Sequence, residues 1–178
     1  MANNKILFYR ENDAYGEFSN FAKYPITINN IRWPTSEHYF QAMKFSDNPE
    51  YQENIRKTTS CTVIKKMGGT RTYKLRDDWE DVKEDIMMEA LRVKFNSYDN
   101  LKQLLLSTGN KTLIEHTKND RYWADGGNGK GLNRLGILLM ELRDELRGGL
   151  HNDNDDDDEN DNDNDNDNDN DNDNDNDD

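Results

Sequence analysis

The last 28 residues of the chain, from His151 onward, are almost entirely alternating Asn and Asp and hold nothing that could enter a core. A segment this polar, and this densely charged with one sign, cannot bury enough apolar area to offset the chain entropy lost on folding. Residues 151–178 are therefore expected to be a disordered, self-repelling acidic C-terminal tail, suited at most to contacts with basic partners. Whatever folds must fold from residues 1–150, a length typical of one domain with one core. The tail also sets the apparent acidity of the chain. It carries 16 of the 37 acidic residues and no Lys or Arg, which leaves 21 acids against 23 bases ahead of it. The formal charge of −14 thus becomes about +2 for the foldable part, which can hold an anionic ligand without a repulsive field around it. The tract lacks the Gly turn and closing Glu of a calcium loop, so a calcium site is not expected in it.

Cys61 is the single cysteine, which excludes an intramolecular disulfide. No apolar run has the length of a membrane span, and no charged-then-apolar leader opens the chain, so a cytoplasmic protein without membrane contact is expected.

Residues 5–10 (KILFYR) and 24–33 (YPITINNIRW) are rich in β-branched and aromatic residues. They predict short strands, the second run folding back on itself at Asn29-Asn30. The intervening ENDAYGEFSNFAK mixes turn formers with Tyr15, Phe18 and Phe21, which predicts an ordered loop pinned by aromatics. From Pro34 the periodicity is helical to about Phe45, with Thr35 or Ser36 as cap. Further helices are expected at 49–57, 60–67, 78–95, 98–106, 110–116 and 131–147, the last ended by Gly148-Gly149. The fold class is α+β: a mostly helical single domain with a small N-terminal sheet.

Two stretches could carry chemistry. In PTSEHYFQAMKF (34–45), Glu37, Gln41 and Lys44 project within about 60° of one another on a helix of 3.6 residues per turn. Each has an ordinary explanation as a first-turn acid, a helix former and a last-turn cation. The aromatic residues around them leave little surface for a solvated face, however, so the polar line is expected to face a cavity, where an acid and an amine would titrate abnormally. The second stretch, RYWADGGNGKGLNRLG (121–136), sets Gly126, Gly127, Gly129 and Gly131 before a long helix, an arrangement that can admit a phosphate. It fits neither a P-loop, since Lys130 is not followed by Ser or Thr, nor a Rossmann loop, since no apolar strand leads into it. Tyr122, Trp123 and Asp125 add stacking surface and a carboxylate. The three histidines lack metal-ligand spacing, and no nucleophile elbow or activated cysteine motif is present, so neither a metal nor a cofactor is expected.

The segments FYRENDAYGEFSNFAKYPI, WPTSEHYFQAMKF, KKMGGTR with LRDDWEDVKEDIMMEALRVKF, LIEHTKNDRYWADGGNGKGLNRLG and LLMELRDEL, in this order and spacing, resemble the YbiA-like or NADAR family over about residues 6–147. The resemblance implies a YbiA-like fold and an N-glycosidase that cleaves a base-like amine from ribose 5-phosphate in early riboflavin-pathway intermediates. Other members of the family remove ADP-ribose from guanine in nucleic acid. Both reactions break a C1–N bond of ribose through an oxocarbenium-like centre, where a carboxylate can stabilise charge or activate water.

By carry-over, Glu37 is that carboxylate, and Lys44 either contacts phosphate or attacks C1 of the opened sugar. Gln41 shares their line. Trp79 and Trp123 would stack on the base, Asp125 would act on the ribose or base beside Asn133, Gly126 and Gly127 would admit the phosphate, and Asn20 would meet the ribose. The body's small charge offers no basic stripe for a nucleic-acid strand, which ranks the guanine reaction second. A non-catalytic module that binds ADP-ribose or a nucleotide is the third reading, and the oligomeric state is not legible in the sequence.

Overall fold

A computed structural model describes residues 4–152. The expected tail, from residue 153 on, lies outside the described residues. The chain runs β1 (Lys5–Phe8), β2 (Ile26–Ile28), β3 (Ile31–Trp33), α1 (Ser36–Ala42), α2 (Pro49–Lys57), α3 (Cys61–Gly68), α4 (Trp79–Ser97), α5 (Asp99–Ser107), β4 (Thr112–Glu115) and α6 (Arg134–Asn152). The mixed, mainly helical architecture read from the sequence is the one observed. The strands form two separate pairs, β2 with β3 and β1 with β4.

The β2–β3 hairpin forms as its sequence predicts. Asn29 and Asn30 both take positive φ, 52° and 62°, in a two-residue turn whose twist suits the flanking strands. The other pair corrects the sequence reading: residues 110–116 are not helical. Thr112–Glu115 is a strand, parallel to β1, with Lys5 opposite Thr112 and Phe8 opposite Glu115. The segment is short and β-branched, and the edge it pairs with lies about a hundred residues upstream, beyond the reach of any local pattern.

Helix α6 is the second correction. Its first three expected residues, 131–133, belong to the preceding loop, where Asn133 holds φ at 51°. At the other end it continues through Gly148 and Gly149 to Asn152, so the expected domain boundary at 150 falls inside a helix. A glycine costs a helix only about 1 kcal/mol, and here no proline follows to stop it.

The core gathers around α4, whose Leu91 and Phe95 are fully buried among Phe18, Leu101, Leu105 and Leu139. Helix α1 packs on α2, α3 and α4, while α6 covers β4. The Arg134 guanidinium grips Glu84 of α4, with Nε 2.7 Å from Oε1, and fixes the start of α6.

Among the described residues, Lys94 is the one cation in the core with no exposure at all. Its Nζ donates to the carbonyls of Glu17 (2.6 Å) and Ser19 (2.9 Å), closing the turn that leads into Asn20. Burial pushes its pKa down to about 7, against a small upward pull from Glu17, the charged group facing it. Above that value the unfolded chain holds the proton and the folded chain does not, so this group adds stability as pH rises from about 7 towards its ordinary value near 10.5. Lys94→Met removes the donor from both carbonyls, leaving that of Glu17 unpaired and that of Ser19 with only the Ala22 N–H, at a cost of about 1–3 kcal/mol. The stability gap between wild type and Lys94→Met, from urea unfolding, should widen by about 1 kcal/mol per pH unit between pH 7 and 9. A gap independent of pH would contradict this account of Lys94.

Candidate active site

Helix α1 is buried on every side, and this explains its odd composition. Thr35 caps it by accepting from the His38 N–H at 3.3 Å, and all seven of its residues are shielded. Glu37 and Gln41 retain only 6% and 4% of their exposure. The Gln41 Nε2 donates to Glu37 Oε1 at 2.8 Å. Lys44, on the 3-10 turn that continues α1, donates to the Gly68 carbonyl at a long 3.4 Å and lies 5.5 Å from the Trp79 ring centre. The expected polar line is thus real as geometry, and it forms one wall of a cavity of about 500 Å³.

The electrostatics follow from burial. Desolvation pushes the Glu37 carboxyl above the usual carboxylate range, with the Gln41 bond and the Lys65 and Lys44 charges pulling partly back. Desolvation likewise pushes the Lys44 amine down, opposed by Glu37. The first shift makes the ionised Glu37 a stronger proton acceptor, and the second favours the neutral amine that nucleophilic attack requires. The Gln41 Oε1 is buried without any hydrogen-bond partner, at the edge where α3 comes closest: a Cβ on Gly68 would lie 1.7 Å from it.

Of the residues anticipated from sequence, Asn20, Glu37, Gln41, Lys44 and Trp123 meet on this cavity. Asn20 is locked in place: its Oδ1 accepts from Ser36 Oγ at 2.8 Å and its carbonyl from the Glu37 N–H at 3.2 Å. Trp123 stands edge-on to Phe40, ring centres 5.3 Å apart. Trp79 lies one layer back, buried against Phe40 with centres 5.0 Å apart, and is not on the wall.

The structure does not bring Asp125, Gly126, Gly127 or Asn133 to the cavity. Their polar groups are spent on the loop itself. Asp125 pairs with His116 Nδ1 at 2.8 Å and accepts from the Gly127 N–H at 2.8 Å. The Gly126 N–H donates to the Asp120 carbonyl and the Gly131 N–H to that of Asp125. Positive φ at Gly126 and Gly127 lets this tight coil form, and a Cβ on Gly127 would press within 3.0 Å of the Lys118 backbone. Asn133 bridges to β4, its Oδ1 accepting from the Glu115 N–H and its Nδ2 donating to the Leu113 carbonyl, each at 2.9 Å.

Sequence reasoning missed other residues of this cavity. Tyr9, Lys65, Glu115 and Asp120 complete the cavity. Lys65 Nζ is 3.9 Å from Asp120 Oδ2. Glu115 shares the inward face of β4 with the fully buried Leu113, two residues away. Burial pushes its pKa to about 7, with Asp120 adding to the rise and Lys65 opposing it. The signal that would have found it is the β-branched run Thr112-Leu-Ile, read as a strand.

The chain belongs to the NADAR family, whose NADAR domain model matches residues 7–147. It is 56% identical over 141 residues to the N-glycosidase YbiA of Shigella boydii, covering 79% of this chain and 88% of that protein. It is also 40% identical over 159 residues to the chloroplastic riboflavin biosynthesis protein PYRR of Zea mays, covering 82% of this chain but 26% of that longer protein. The NMR structure of Escherichia coli YbiA superposes with a TM-score of 0.78 at 52% identity, over 85% of this chain and 89% of that one. Among the described residues no helix is long and apolar enough to cross a membrane.

Proposed function

We propose that residues 1–150 form an N-glycosidase that hydrolyses the C1–N bond of 5-phosphoribosylamino-pyrimidine intermediates of riboflavin biosynthesis and releases ribose 5-phosphate. The observation that carries this reading is the buried Glu37–Gln41–Lys44 wall on a cavity of about 500 Å³, the size of a small-molecule site. The names of the relatives, N-glycosidase and riboflavin biosynthesis protein, support the bond and the substrate class.

In this reading, Glu37 sits beside C1, where it stabilises the developing positive charge and takes a proton from the attacking water. Asn20 binds the ribose, and Trp123 offers an aromatic flank to the base. Lys65 and Arg10, both on the cavity, supply positive charge for the 5-phosphate. Lys44 is assigned to the sugar, since its long bond to Gly68 leaves the amine free to engage a ligand. Borohydride added during turnover separates the two roles the family resemblance leaves to it: a stable adduct on Lys44 marks attack on C1, and its absence marks phosphate contact alone.

The test sets two substrates side by side. Incubated with a freshly generated phosphoribosylamino-pyrimidine and with an ADP-ribosylated guanine oligonucleotide, the protein should release sugar phosphate from the first and leave the second intact. Release only from the oligonucleotide would transfer the reading to ADP-ribosyl-guanine hydrolysis. Binding without release from either would make the protein a nucleotide-binding module.

A further inference from the structure

We propose that Glu115, which shares the cavity with Glu37, is the acid that hands a proton to the departing nitrogen. The inference rests on the C1–N reaction assigned above. That reaction requires two groups with opposite tasks. One accepts a proton from water; the other supplies a proton to an amine that leaves poorly as an anion. The wall formed by α1 provides the first group.

The second group must line the same cavity, stay fixed, and keep its proton near neutral pH. Glu115 meets each requirement. It lines the same cavity as Glu37. Its backbone is held from both sides, its N–H donating to Asn133 Oδ1 at 2.9 Å and its carbonyl accepting from the Asp125 N–H at 3.0 Å. The strand pairing to Phe8 fixes its register, and the strand's period of two turns the side chain inward with Leu113. Among the described residues nothing hydrogen-bonds its carboxyl, which is left free for a ligand. Burial and the nearby Asp120 hold the proton on it near pH 7, in support of the geometry. The other carboxyls are less suited: Glu11 is exposed to solvent, Asp120 lies beside Lys65, and Asp125 is bonded to His116 away from the cavity.

The electron pair of the C1–N bond passes to nitrogen, which takes the Glu115 proton and leaves as the neutral amine. Water adds to the oxocarbenium carbon and gives its proton to Glu37. Net, one water is consumed, and solvent returns the proton from Glu37 to Glu115.

Glu115→Gln and Glu115→Asp test the assignment together on the phosphoribosylamino-pyrimidine, with thermal unfolding as the check on folding. Glu115→Gln should lower kcat about 100-fold or more, leave KM within a few-fold, and lose the fall in kcat on the alkaline side that marks an essential acid. Glu115→Asp, which retracts the carboxyl but keeps it, should be slower than wild type and retain that alkaline fall. A structural role would reverse the order, since Gln fits the Glu115 site better than Asp does. An active wild type matched by Glu115→Gln in rate and pH profile would overturn the assignment of Glu115 alone. A wild type that releases no sugar phosphate would overturn the reaction and the acid together.

Discussion

Glu37→Gln should lower kcat for C1–N cleavage by about 10²–10⁴-fold while leaving substrate affinity close to that of wild type. The substitution keeps the size of the side chain and its bond to Gln41 but cannot take a proton or carry the negative charge that an oxocarbenium centre demands. It should also make the protein more stable. In the native chain, burial penalises the ionised Glu37, so this group's contribution is favourable below its ordinary pKa near 4.5 and is lost as pH rises through the raised folded value. An amide escapes that penalty. The stability gain should therefore be present at pH 8 and shrink towards pH 4, as read by urea unfolding at the two values. Losing rate while gaining stability is the behaviour of a strained catalytic group. A variant that lost both would indicate that Glu37 is a structural residue.

Gly136→Ala should destabilise the fold by about 3 kcal/mol. A Cβ there would stand 2.1 Å from the Leu113 carbonyl oxygen and 2.5 Å from Asn133 Nδ2, against backbone and a bonded amide rather than a flexible side-chain end. Relief requires α6 to move away from β4, which breaks the Asn133 bridge to Leu113 and Glu115. Activity should therefore fall together with stability, even though Gly136 lies outside the cavity. Guanidinium unfolding with a midpoint shifted by less than the equivalent of about 1 kcal/mol would show that this interface yields easily.

The parts of the molecule legible in the sequence are those set by local rules. The Asn29-Asn30 turn, the Thr35 cap and the burial of α1 each follow from residues within a few positions of one another, and the polar line of α1 follows from helical geometry. The missed parts are long-range. Nothing near Thr112 reveals that β1 offers it an edge, so the strand reads as a helix and the inward turn of Glu115 stays hidden. The glycine loop is legible in composition but not in its hydrogen bonding. Gly126, Gly127 and Gly131 have the composition of a phosphate cradle, but only the tertiary fold shows that their N–H groups close the loop on itself. Asp125 and Asn133 have the polarity of ligand contacts, yet their hydrogen bonds hold the Glu115 strand and its neighbouring loop. Local chemistry tells which groups are available; whether they face a ligand or the protein depends on contacts set elsewhere in the chain.

Backbone amide chemical shifts recorded while ribose 5-phosphate is titrated into the protein distinguish a sugar phosphate seated between α1 and β4 from one seated on the glycine loop. The account predicts shifts concentrated at Asn20, Glu37, Lys65 and Glu115, with Gly126 to Gly131 unmoved. Shifts concentrated at Gly126 to Gly131, with Asn20 and Glu37 unchanged, would contradict it and return the phosphate to the loop.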